Sequence, residues 1–162
     1  MITEKDRMYL RRCVALAATA LEKGNSPFGS ILVSKDGEVL FEDHNRDAGG
    51  DDTRHPEFEI AKWAIAHLPE EERKDAVVYT SGEHCSMCAS AHGLAGLGRI
   101  VHASSSEQLQ EWKKDLGVEP GMLKGLAITE VLRDIRVDGP DPELSEEIKT
   151  LQYEYYRGRT KS

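Results

Sequence analysis

The chain has no excess of positive charge: 21 Lys and Arg stand against 29 Asp and Glu, a formal net charge of −8. Affinity for polyphosphate comes mainly from Lys and Arg, so nucleic acid is not expected as a partner, although a local basic patch is compatible with a negative total. No apolar run approaches membrane-spanning length, and no membrane association is expected. The first residues, Met1-Ile2-Thr3-Glu4-Lys5-Asp6-Arg7, are charged and have no apolar stretch behind them. No export signal is read there, and a cytoplasmic location is expected. Cysteine is scarce. The three present are an odd number, and two of them fall in Cys85-Ser86-Met87-Cys88. In a chain read as cytoplasmic, that spacing favours metal or redox chemistry over a disulfide framework. Internal repeats, linkers and low-complexity tracts are also missing, so residues 1–162 are read as one domain with a sizeable core.

What is present is a set of short periodic segments. Thr3 is a candidate N-cap, and Leu10, Val14, Ala17 and Leu21 follow on one helical face until Gly24-Asn25. Ile31-Leu32-Val33 and Val39-Leu40-Phe41 flank Asp36-Gly37, a hairpin signal that predicts two antiparallel strands. Residues 43–54 read as a polar loop. Pro56 suits the first turn of a helix that carries Glu57, Ala61, Ala64 and Leu68 and ends at Pro69. Residues 76–80 read as a buried strand, 85–97 as a small-residue helix and 100–103 as another strand. A helix over 104–116 is expected, then an edge strand at Ile128-Thr129-Glu130-Val131. The last helix starts at Asp141-Pro142-Glu143, with Leu144, Ile148, Leu151 and Tyr155 on its apolar face. Strands separated by helices imply parallel crossovers and a sheet covered on both sides. The fold class is therefore α/β, a three-layer α/β/α sandwich around a mixed sheet of about five strands.

His55, Cys85 and Cys88 match the chemistry of a catalytic zinc, which takes three protein ligands and leaves a position open. Two cysteines three apart at a helix start can face one point. His55 and Cys85 both sit where helices begin, and the helix dipoles favour negative charge there. Two thiolates blunt the metal's acidity, so a nearby proton carrier is needed. Glu57, two residues beyond His55, is placed for that role. Blander readings remain open. Cys-x-x-Cys also serves as a redox pair or as half of a structural zinc site. Glu57 is also an ordinary acidic first-turn residue. His92 is a weaker ligand candidate, because it lies about 10 Å along the helix from Cys85. Cys13 is placed in the core.

The pattern resembles the cytidine deaminase superfamily, with its H-x-E…P-C-x-x-C signature. Ser26-Pro27-Phe28-Gly29-Ser30 resembles the P-F-G-A segment of guanine deaminases and tRNA adenosine deaminases. His44-Asn45-Arg46 resembles their asparagine segment, and Tyr79-Thr80-Ser81-Gly82-Glu83-His84-Cys85 their Y-T-S-x-E-P-C. These matches cover roughly residues 8–104, and 105–162 is a more divergent helical part. Pro56 stands where Ala or Val is usual, and His84 replaces proline. His84 is expected to place a titratable group beside the metal and to affect substrate choice.

The resemblance implies one Zn²⁺ per chain, held by His55, Cys85 and Cys88, with Glu57 catalytic. It implies substrate contact by Asn45 and Phe28, with a turn-forming role for Asn45 and an ordinary core role for Phe28 as the bland alternatives. It also implies a homodimer. The function implied is hydrolytic deamination of a small aminated heterocycle, foremost a guanine-like purine base or a nucleoside. A tRNA adenosine deaminase, a cytosine or cytidine deaminase and a non-enzymatic zinc-stabilised interaction protein are the alternatives. Trp112, Tyr153, Tyr155 and Tyr156 are able to stack on a flat base, but their helical setting favours core or dimer packing.

Overall fold

The computed structural model describes residues 1–159; residues 160–162 lie outside the described part. Helix α1 (Glu4–Glu22) begins with Thr3, whose side chain accepts from the Asp6 N–H while Asp6 accepts from the Thr3 N–H. This reciprocal cap satisfies two N–H groups that a helix start otherwise leaves unpaired. Strands β1 (Gly29–Val33) and β2 (Val39–His44) form the expected antiparallel hairpin, and Gly37 has the positive φ of 90° that the tight turn requires. Helix α2 (Pro56–His67) follows with His55 as its N-cap.

A short helix α3 (Glu70–Asp75) then intervenes. Periodicity does not reveal it, but an acidic first turn and basic last residues suit both ends of its dipole. Next come β3 (Val77–Gly82), α4 (Ser86–Ala95), β4 (Ile100–Ser104) and α5 (Ser106–Asp115). The chain ends with α6 (Ile128–Val131), β5 (Val137–Asp138) and α7 (Pro142–Arg159). The expected edge strand at 128–131 is thus a single helical turn, and the edge strand lies six or more residues later. The Ile128 N–H donates to the Glu83 carboxylate, which starts a helix there. Leu132 then packs so closely on Gly93 of α4 that a Cβ at 93 would fall 2.6 Å from it. An apolar run of four residues does not by itself separate strand from helix, and the contact with α4 decides.

The sheet order is β2-β1-β3-β4-β5. β1 pairs antiparallel with β2 and β3, whereas β3–β4 and β4–β5 are parallel. Alternation along the strands sorts the core into two layers. Ile31, Val33, Tyr79 and Val101 face Leu10, Cys13, Leu16, Trp112, Leu144 and Ile148 on one side. Leu32 and Val78 face Ile60, Ala61, Ala64 and Ala95 on the other. Helices α1, α5 and α7 therefore cover one face, and α2 and α4 the other, giving the three-layer mixed sandwich the sequence implies. Gly29 has a structural reason: a Cβ there would lie 2.4 Å from Leu16 Cβ, so only glycine lets β1 start this close to α1. No helix among the described residues is long and apolar enough to cross a membrane.

Candidate metal centre and adjoining cleft

Helices α2 and α4 pack together with their N-termini at one point. His55 and Cys85 are the N-caps, and Cys88 is the third residue of α4. The His55 Nδ1 lies 3.6 Å from Cys85 Sγ and 3.5 Å from Cys88 Sγ. Tetrahedral zinc with nitrogen and sulfur ligands at their usual bond lengths separates such atoms by roughly 3.6 Å. The spacing and the donor chemistry both fit zinc. The His55 side chain makes no capping bond to its own helix, so its ring remains available as a ligand. His92 does not join them. Its Nε2 donates to the Gly98 carbonyl at 2.7 Å, a role internal to the α4–β4 turn. Cys13 is fully buried in the core.

Without metal the three groups divide their protons unequally. Cys85 drops to about 4, chiefly because Cys88 donates to it, with His55 adding to the effect against burial. The bond to Cys85, burial and the Glu57 charge together push Cys88 up. Burial opposes charge on His55, yet the Cys85 sulfur and the Glu57 charge outweigh it and lift the imidazole to about 9.

Glu57 is buried beside this centre. Its Oε1 accepts from Ser30 at 2.7 Å and lies 2.9 Å from the Thr80 hydroxyl. Burial raises its pKa, while the His55 charge and the Ser30 bond pull the other way. A buried carboxyl beside the three ligands is placed to accept a proton and return it.

A cleft of about 410 Å³ opens onto His55, Glu57 and Cys85. Phe28 and Asn45 both line it, and they are tied together by the Asn45 N–H donating to the Phe28 carbonyl at 3.0 Å. The Asn45 Nδ2 donates to Asp47 at 3.3 Å, and Asp47 also accepts from the Ser26 N–H and hydroxyl. Burial works against the Asp47 charge, but the Ser26 and Asn45 bonds more than offset it and lower its pKa. An ionised carboxylate only accepts, so the Asn45 amide must turn its NH₂ toward Asp47. Its oxygen is then left for the cleft. Helix α5 supplies the opposite wall through Ser106, Leu109, Gln110 and Lys113, spaced i, i+3, i+4, i+7 on one face. Burial pushes the Lys113 ammonium down.

Two expectations fail here. His84 does not enter the cleft; it is 1 % exposed, and its ring packs edge-on against His92 at 5.4 Å. Burial holds it neutral, far below its ordinary pKa. The proline-to-histidine exchange therefore fills the space beneath α4. Tyr155 and Tyr156 line the cleft instead of packing in the core, because the end of α7 runs past the sheet. Trp112 does pack in the core, and Tyr153 lies against it half-buried. Sequence reasoning missed Ser30, Thr80, Asp47, Glu83 and the α5 face. For Ser30 a signal existed, since it occupies the alanine position of the P-F-G-A-like segment.

These features define a zinc-binding α/β/α domain with a buried carboxylate beside the metal. The profile of the cytidine and deoxycytidylate deaminase zinc-binding region matches residues 3–104, and the chain belongs to that family. It is 33 % identical over 108 residues to a probable cytosine deaminase of Schizosaccharomyces pombe, covering 67 % of this chain and 65 % of that protein. It is 27 % identical over 106 residues to a tRNA-specific adenosine deaminase of Streptococcus pyogenes, covering 65 % and 66 % of the two chains. The matched region thus spans just under two thirds of either relative. Among solved structures, guanine deaminase from Nitrosomonas europaea superposes with a TM-score of 0.68 at 19 % identity, covering 97 % of this chain and 86 % of that one. At that identity the likeness speaks for the fold.

Proposed function

We propose that the protein is a hydrolytic deaminase of a small aminated heterocycle, foremost a guanine-like purine base or nucleoside. The observation that carries this reading is Glu57, buried in the cleft wall beside His55, Cys85 and Cys88. A structural zinc site gives no reason for a buried carboxyl there, and burial of such a group is costly. His55, Cys85 and Cys88 would hold a zinc ion, whose Lewis acidity would make water a nucleophile near neutral pH. Glu57 takes the proton from that water and returns protons to the ring nitrogen and to the departing amine. A C–O bond forms, the C–N bond breaks, and ammonia leaves. Asn45 offers its amide oxygen to an N–H on the heterocycle edge, and Phe28, Leu109 and Tyr156 supply flat or apolar walls. We place the protein in the cytoplasm, as a homodimer.

The test is ammonia release from a panel of aminated purines, pyrimidines, pterins and triazines, as bases and nucleosides, by zinc-loaded protein. Glu57→Ala is expected to retain zinc and to lose at least roughly a hundredfold in kcat. Undiminished turnover with zinc bound would remove Glu57 from the chemistry. Silence across the whole panel would favour the zinc-stabilised interaction protein. The S. pyogenes relative makes tRNA the second reading. A salt-sensitive complex with tRNA, followed by adenosine deamination, would support it against the chain's negative charge.

A further inference from the structure

Strand β1 is buried along its whole length and apolar over Ile31, Leu32 and Val33, yet Ser30 places a hydroxyl in it with no exposed surface. A hydroxyl so placed destabilises the fold unless it is hydrogen-bonded. Its Oγ has two neighbours, Glu57 Oε1 at 2.7 Å and Thr80 Oγ1 at 2.8 Å. Thr80 Oγ1 also has two acceptors in reach, Glu57 Oε1 at 2.9 Å and the Gly82 carbonyl at 2.8 Å. Counting protons separates the two residues. Each hydroxyl has one. The Gly82 carbonyl only accepts, so a proton given to it by Thr80 is withheld from Glu57. Ser30 has no competing carbonyl, and a bond to a carboxylate is stronger than one to a neutral hydroxyl. Ser30 is therefore the dependable donor to Oε1.

That matters because rotation of a Glu carboxylate about its last torsion is soft and roughly two-fold. Fixing one oxygen fixes the direction of the other. Both hydroxyl contacts fall on Oε1, and the other side chain bonded to the Glu57 carboxyl is the Cys88 thiol, itself a candidate metal ligand. We infer that Ser30 is a positioning residue: its hydroxyl pins Oε1 of Glu57 and so commits Oε2 to carrying the proton between water and substrate. The inference rests on the deaminase reading of Glu57 given above. Small losses of alignment are expensive in such transfers, because reacting groups must be held close to their productive geometry.

Ser30→Ala and Ser30→Thr test this against the wild type, each loaded with zinc and assayed for metal content. Ser30→Ala is expected to lower kcat roughly ten- to hundredfold, the effect of one hydrogen bond to a charged group. KM should stay within about twofold, the pattern of a lost transition-state contact. Zinc content should be unchanged and the thermal midpoint should move by only a few degrees. Ser30→Thr keeps the hydroxyl on a residue that suits strands and should recover most of kcat. In crystals of Ser30→Ala, the Glu57 carboxylate should be turned from its wild-type orientation. An unchanged kcat or an unmoved carboxylate in Ser30→Ala overturns the inference. So does a parallel fall of kcat, zinc and midpoint in both variants, the mark of a merely structural role. Should the wild type release no ammonia from any substrate, the deaminase reading fails, and the crystallographic orientation of Glu57 alone decides whether Ser30 positions it.

Discussion

His55, Cys85 and Cys88 do not start from equal positions when they meet a metal. Cys85 near 4 is already a thiolate across the neutral range, because Cys88 and His55 both support its charge. His55, lifted to about 9, is an imidazolium over the same range, and Cys88 keeps its proton. A metal ion must displace the protons of His55 and Cys88, whereas Cys85 has none to give. Zinc affinity should therefore fall as pH falls below about 9, with about two protons released per ion between pH 6 and 8. Competition against a chromophoric chelator at several pH values, together with proton release in weakly buffered solution, measures this slope. A slope well below two would show that the three ligands do not hold two protons between them in the metal-free protein.

At the level of elements, the cleft depends on how α5 and α6 are hung. Glu83 accepts from the Ser106 N–H at 2.9 Å with one oxygen and from the Ile128 N–H at 2.7 Å with the other. One carboxylate thereby fixes the starts of two helices, and α5 brings Leu109 and Lys113 to the cleft. Glu83→Gln turns an NH₂ toward one of these N–H groups. It should cost about 2 kcal/mol of stability and raise KM severalfold with a smaller effect on kcat. Denaturant titration and steady-state kinetics check it; an intact KM would mean that the α5 wall does not touch substrate. This tie also shows where sequence reading stops. The hairpin at Asp36-Gly37 and the helix starts at Pro56 and Ser86 are coded within a few residues, so spacing alone revealed them. Glu83 meets Ile128 across 45 residues, and nothing local at 128–131 distinguishes strand from helix. The tyrosines of α7 mislead for a related reason. Leu144 and Ile148 share the core stripe, but the same helix outruns the sheet, so Tyr155 and Tyr156 meet the cleft instead. Ser30 is visible in the sequence only as a departure from the P-F-G-A-like pattern; its partner, 27 residues away, gives that departure its meaning.

At the scale of the whole molecule, the layer behind the site is held by a partly buried charge cluster. Asp6 of α1 accepts from Arg99 at 3.0 Å and from the Tyr79 hydroxyl at 2.7 Å, and Arg99 also donates to Asp138 of β5. Helix α1 is thus fastened to β3 and to the β4–β5 edge, and it is the surface on which β1, with Gly29 and Ser30, rests. Burial disfavours the Asp6 charge, but Arg99, the Thr3 N–H and Tyr79 outweigh it and hold the carboxyl well below its ordinary range. A depressed folded-state pKa contributes stability that is full above the unfolded value of about 3.9 and is lost as pH falls through the lower folded value. Asp6→Asn should therefore cost about 3 kcal/mol at pH 7, since it leaves a largely buried guanidinium short of a partner. The gap between wild type and variant should narrow steadily below about pH 4, as the carboxyl of the unfolded wild type takes up a proton that the folded one still refuses. Urea unfolding of both proteins at pH 7, 4 and 2.5 measures the gap directly. If it is the same at every pH, the charge on Asp6 contributes nothing, and α1 is held to the sheet by its apolar face alone.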